Sequence, residues 1–148
     1  MFKKIISTNR KAKFLYDIKE EYEAGVVLMG NEVKSLRDGK MDLTDGYVKI
    51  ENGQAYIYNI TIPAYSFSSE RKYNPKRPRK LLLHKQQIKR LIGKLTQRGL
   101  SLIPIQAYFL NNNVKLLLGL GKGRRLISKK QKIKERDIKR ETEREMKQ

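Results

Sequence analysis

A mainly β fold, a small antiparallel barrel with helices on its flank, is predicted by three features of the sequence. Tyr16, Ile18, Tyr22, Ala24, Val26 and Leu28 all fall on even positions, the period of two expected of a half-buried strand. An Asn52-Gly53 pair separates Tyr47–Glu51 from Gln54–Ile62, and such a pair tolerates the positive φ at both central residues of a type I′ hairpin turn. The apolar run Leu100–Leu110 is rich in aliphatic and aromatic residues and reaches Asn111-Asn112-Asn113, from which Val114–Leu120 returns antiparallel. A chain of 148 residues is one domain.

The remaining elements follow in order. The alternation over 16–28 is broken only at Glu20 and reads as one long strand or two strands bent at Gly25. Asn31 is placed to cap a short helix carrying Val33 and Leu36 and stopping at Gly39. Pro63, Pro75 and Pro78 punctuate a polar loop. Leu81, Ile88, Leu91, Ile92 and Leu95 then stand at helical spacing, with Gly99 at the helix terminus. Pro104 inside the following strand requires an edge or a bulge. This amounts to about six strands and two helices in a barrel domain over residues 1–121.

From Lys122 the composition changes. Leu126, Ile127, Ile133, Ile138 and Met146 are the apolar residues of the last 27 positions, too scattered to form a core face. In a helix, Lys132, Arg136, Arg140 and Arg144 would stand in one i, i+4 row and repel one another. Residues 122–148 are therefore expected to be a basic C-terminal tail, disordered when free and helical when an anion lies along that row.

Charge is the strongest functional signal. The formal net charge is +19, and it is distributed in blocks. Residues 1–13 hold five bases and no acid, residues 14–70 five bases and ten acids, and residues 71–99 eleven bases and no acid. A protein charged only for solubility has no need of separate single-sign blocks, whose internal repulsion opposes the compact state. The segment Arg71–Arg98 places Arg77, Arg79 and Lys80 in a Pro-stiffened loop and Lys85, Lys89 and Lys94 on the polar side of the following helix, a cluster suited to tracking RNA phosphates.

Other chemistries are weakly represented. Without cysteine there is no disulfide framework, thiolate metal site or Cys nucleophile, and a lone His84 forms no His cluster. His84 fits the start of a helix or an RNA-facing position better than a general base. Glu20, Glu21 and Glu23, and separately Glu32, Asp38, Asp42 and Asp45, are the acidic groupings that a Mg²⁺-dependent nuclease would use, but they fall on predicted solvent faces and turns. Neither a catalytic residue nor a metal site nor a cofactor is predicted. Tyr16, Tyr22, Tyr47, Tyr56 and Tyr58 lie on predicted strands and read as barrel core before base-stacking platform, Tyr16 being the exception beside the basic N-terminal segment. The run from Leu100 to Leu110 is about half a bilayer span, so no membrane is expected among the partners, and the chain reads as cytoplasmic.

Several strings line up in order with one family: Asn9-Arg10-Lys11-Ala12, Tyr16, Glu23-Ala24-Gly25, Glu32-Val33-Lys34-Ser35-Leu36-Arg37, Gly39-Lys40, Pro75 through His84, Lys122-Gly123-Arg124-Arg125 and Ile133-Lys134-Glu135-Arg136-Asp137. The chain resembles the small protein B family, the SsrA-RNA-binding proteins, over nearly its whole length from Asn9. The resemblance implies an oligonucleotide-binding-type barrel and a non-enzymatic role. Proteins of this kind grip the tRNA-like domain of transfer-messenger RNA near its elbow and bring it to stalled ribosomes in trans-translation. Alanyl-tRNA synthetase and elongation factor Tu would be indirect partners.

By match to the family's positions, Asn9, Tyr16, Glu23 and Leu82 fall on the surface that meets the RNA, and Arg10, Lys11, Arg77, Arg79 and Lys80 of the basic segments complete the expected RNA-binding residues of the barrel. Asn and Glu can read base edges, while Tyr and Leu cover unstacked bases. The tail is expected to enter the vacant messenger channel near the decoding region of the small subunit and become helical there, through Lys122, Arg124, Arg125, Ile127, Lys129, Lys130, Lys132, Lys134, Arg136 and Arg140. One departure is visible. Where the family has an aromatic or His followed by Asp-Lys-Arg, this chain has Ile127-Ser128-Lys129-Lys130, which keeps cationic charge but lacks a stacking ring and the planar fork of Arg. The rival readings are a basic structural ribosomal protein, a Mg²⁺-dependent RNA-processing enzyme and a general single-strand RNA binder.

Overall fold

The computed structural model describes residues 3–65, 73–97 and 99–123. Within them the chain runs β1 (Lys3–Thr8), α1 (Arg10–Leu15), β2 (Tyr16–Val26), α2 (Gly30–Arg37), β3 (Tyr47–Glu51), β4 (Gln54–Tyr58), β5 (Arg79–Leu82), α3 (Lys85–Leu95), β6 (Leu100–Leu110) and β7 (Asn113–Gly123). One sheet contains all seven strands in the order β1-β6-β7-β2-β5-β4-β3, every pair antiparallel. The sheet curls until β3 packs against β6, which leaves a nearly closed barrel.

The expected hairpins form. Asn52 and Gly53 take φ of 51° and 74°, the mirror-image turn that matches strand twist. Asn111 and Asn112, at 49° and 70°, close the β6–β7 hairpin in the same way. Pro104 occupies a register irregularity on β6, not an edge, because β6 lies between β1 and β7. In β2 the irregularity falls between Ile18 and Glu20, where the sequence alternation breaks, and not at Gly25.

Three local expectations are corrected. Leu81 belongs to strand β5, since Arg79-Lys80-Leu81-Leu82 alternates in and out, and α3 begins only after His84. Ile92 is exposed, and α3 packs through Ile88 and Leu91. The cap of α2 is Met29, whose backbone N–H is taken by the Glu32 carboxylate at 2.9 Å, and Asn31 lies inside the helix. Two elements, β1 and α1, carry too few apolar residues to show a period.

The core gathers Tyr22, Ala24, Leu43, Val48, Ala55, Ile57, Ile60, Leu81, Leu91, Leu102, Ala107, Leu116, Leu118 and Leu120. Of the five tyrosines expected in the core only Tyr22 is buried. Tyr16, Tyr47, Tyr56 and Tyr58 are half-buried, because a small barrel has no room for five phenol rings. Tyr47 and Tyr58 instead stack on each other at 5.6 Å with the Lys49 ammonium beside both rings.

Candidate RNA-binding surface

Strand alternation builds the surface. On β2, Tyr22 and Ala24 point into the core, so Glu21 and Glu23 point out. On β5, Arg79 and Leu81 point in, so Lys80 and Leu82 point out. Leu82 pairs with Gly25, and Gly25 pairs on its other side with Lys115. Gly25 carries no side chain between them: a Cβ there would meet Leu82 at 3.4 Å and the Lys115 ammonium at 3.7 Å. The result is a shallow notch flanked by Leu82, which is 55% exposed, and by a cation.

Tyr108 extends this face. It pairs with Lys115, and its hydroxyl donates across β7 to the Glu23 carboxylate. Burial, followed by the bond to Glu23, pushes the Tyr108 phenol well above its ordinary range, so it stays a donor at any physiological pH. The Lys3 ammonium lies 4.3 Å from the centre of the Tyr108 ring. Glu23 is thus held from one side and exposed on the other, an oriented acceptor on the sheet face that also carries Leu82 and the exposed Lys80.

Arg79 is corrected as a surface residue. It is fully buried, with Nε and an Nη on Glu32 at 2.8 and 2.5 Å and further bonds to the Ile60 carbonyl, the Pro75 carbonyl and the Tyr73 hydroxyl. Arg77 grips the same carboxylate and is half-buried. Burial raises the Glu32 carboxyl, yet the bonds from Arg77, the Met29 backbone and Arg79 outweigh it and hold the carboxyl below its usual range. Two of the bases counted toward RNA therefore pin the loop before β5 onto α2. Sequence gave no sign that Glu32, expected on a solvent face, is the buried counter-charge.

Asn9 is corrected similarly. Its side chain is 4% exposed and donates to the carbonyls of Leu43 and Pro104 at 3.2 and 2.9 Å. It ties the start of α1 to the irregular turn of β6, and α1 then presents Arg10 and Lys11 to solvent. Tyr16 sits toward the other end of β2 from Glu23, beside Gly123; seven residue steps along the strand separate them by about 23 Å. Lys122 is exposed on β7, and the remaining tail residues fall outside the described part. On α3, Lys85 and Lys89 are exposed, whereas Lys94 and Arg90 bind Glu20 at 2.6 and 2.8 Å. Among the described residues no three His, Cys, Asp or Glu side chains converge on a metal position, and no helix is long and apolar enough to cross a membrane.

Comparison with known proteins places this arrangement. A family model described as SmpB protein matches residues 6–148. The chain belongs to the SmpB family. Among its SmpB relatives, the SsrA-binding protein of Thermosynechococcus vestitus is 50% identical over 146 residues, covering 98% of this chain and 96% of that protein. The SsrA-binding protein of Aquifex aeolicus is 48% identical over 143 residues, covering 96% and 91%. A solved structure described as "tmRNA-SmpB: a journey to the center of the bacterial ribosome" superposes with a TM-score of 0.68 at 45% identity, covering 81% of this chain and 85% of that one. The expected antiparallel barrel with flanking helices agrees with that neighbour.

Proposed function

We propose that this chain is an RNA-binding adaptor that holds the tRNA-like domain of transfer-messenger RNA and delivers it to stalled ribosomes, without bond chemistry of its own. Its place in the cell is the cytoplasm, where stalled ribosomes are. Within the SmpB family frame, the observation that carries the reading is the Glu23–Leu82–Lys80 group. An anchored acceptor meets base edges, an exposed leucine covers an unstacked base, and a lysine meets phosphate. Arg10 and Lys11 on α1 and Tyr16 at the far end of β2 supply further contacts along the same RNA. Asn9, Arg77 and Arg79 act by holding these elements in place.

The tail, through Lys122, Arg124, Arg125, Lys129, Lys130, Lys132, Lys134, Arg136 and Arg140, lies in the empty messenger channel, with Ile127 packing where relatives stack a ring. Alanyl-tRNA synthetase and elongation factor Tu meet the complex through the RNA. Sequencing the RNA that copurifies with the tagged protein tests this. One enriched, tRNA-like species is expected. A diffuse population would favour a general single-strand binder, and stoichiometric recovery on every ribosome a structural ribosomal protein.

A further inference from the structure

The strongest feature outside the Glu23 face is a cleft of about 510 Å³ between the tip of the β6–β7 hairpin and the C-terminal end of α2. Lys4, Arg37, Phe109, Asn111 and Asn112 line it among the described residues, two cations, a ring and two amides without a carboxylate. Phe109 pairs with Lys4 on one side and Val114 on the other, continuing the inward row of Ala107 and Leu116 past the end of the core. Their sequence neighbours Ile5, Tyr108 and Lys115 point the other way, to the face from which Tyr108 reaches Glu23. The cleft therefore opens on the opposite face of the same sheet.

Arg37 and Phe109 are already arranged as a recognition pair. The guanidinium carbon lies 6.0 Å from the ring centre, which holds the planar cation beside an aromatic surface while leaving it exposed. A basic residue in the last turn of α2 also suits the helix dipole, but that role requires neither the ring nor the facing Lys4. Asn111 and Asn112, at positive φ, hold their amides at the rim. The volume lies within the range of small-ligand sites. A ring surface, a guanidinium, an ammonium and amide groups in one cleft match a nucleotide: a base to stack, a phosphate to neutralise and base edges to bond.

The geometry points to a second RNA site in this cleft, in which Arg37 and Lys4 hold the phosphate and Phe109 with Arg37 holds the base of one unpaired nucleotide. It extends the proposed adaptor role by giving the domain RNA contacts on both faces of its sheet. The nucleotide comes either from the transfer-messenger RNA itself or from ribosomal RNA, which have the same chemistry.

The test uses the full chain, with Lys4→Ala/Arg37→Ala and, separately, Phe109→Leu, which removes the ring without changing charge. Affinity is measured for the tRNA-like domain RNA and for vacant small ribosomal subunits, each at two salt concentrations. Both variants are expected to bind at least fivefold more weakly in one arm, and that arm names the source. The double variant alone should also flatten the salt dependence. Unchanged affinity in both arms, with wild-type thermal melts, overturns the site. An effect of the charge pair without one from Phe109→Leu overturns the stacked base. Leu82→Glu, measured in parallel, reports on the Glu23 face. If it binds the tRNA-like RNA as wild type does, that face fails while the cleft's result stands.

Discussion

The Tyr108 hydroxyl donates to the Glu23 carboxylate across the width of β7, joining two residues 85 positions apart in sequence. Glu23 is an anion on a surface proposed to meet RNA, where an unrestrained carboxylate would repel phosphates. Fixed by Tyr108, it presents its free lone pairs in one direction, as a base-edge acceptor must.

Glu23→Ala is accordingly expected to weaken binding of the tRNA-like RNA by about 1–3 kcal/mol at matched salt, with no change in thermal melt. Tyr108→Phe leaves Glu23 in place but loosens it, and should give a smaller loss in the same direction. The double variant should lose no more than Glu23→Ala alone. Filter binding on the four proteins of this cycle measures the coupling, and additive losses would separate the two residues.

Arg79 and Glu32 make a stability prediction. Arg79→Met leaves the buried Glu32 with the partly exposed Arg77 as its one remaining paired cation among the described residues, and should destabilise the fold by about 3–5 kcal/mol in urea titration. Arg77→Ala removes the partner nearer solvent and should cost about 1 kcal/mol or less. RNA affinity of the folded Arg79→Met protein should fall little. A large loss at wild-type stability would return Arg79 to the RNA surface.

Acid sensitivity follows from Glu20. The bonds from Lys94 first, then Tyr22 and Arg90, lower its carboxyl from 4.5 to about 2. A carboxylate whose pKa is depressed by folding adds stability above the unfolded value and loses it as pH falls through the folded one. The contribution of the α3–β2 contact is therefore complete above about pH 5 and fades from pH 4.5 toward 2. Glu20→Gln should lower the melting temperature at pH 6 and converge on wild type near pH 2. A constant difference across that range would dissociate Glu20 from the effect.

Much of the framework could be read before any coordinates. The alternation along β2, the Asn52-Gly53 turn, the β6–β7 hairpin and the core face of α3 are local patterns, legible because side-chain period and turn chemistry act over a few residues. The basic blocks pointed to RNA for the same reason, since charge is additive along a chain. What they could not reveal is which bases remain available. Arg79 turns inward because β5 alternates, and it survives there only because α2 brings Glu32 to it. Asn9 is buried by carbonyls of Leu43 and Pro104 that lie 34 and 95 residues away.

By itself, then, the sequence determined the strand and hairpin pattern, the cationic character and the family. Tertiary structure alone decided that Glu23, Leu82 and Lys80 share one face, that Arg79 and Asn9 are buried in hydrogen bonds to other elements, and that Lys4, Arg37 and Phe109 meet on the other face. Sheet register sets these choices. A strand's pairing partner, not its own residues, fixes which neighbours each outward side chain finds.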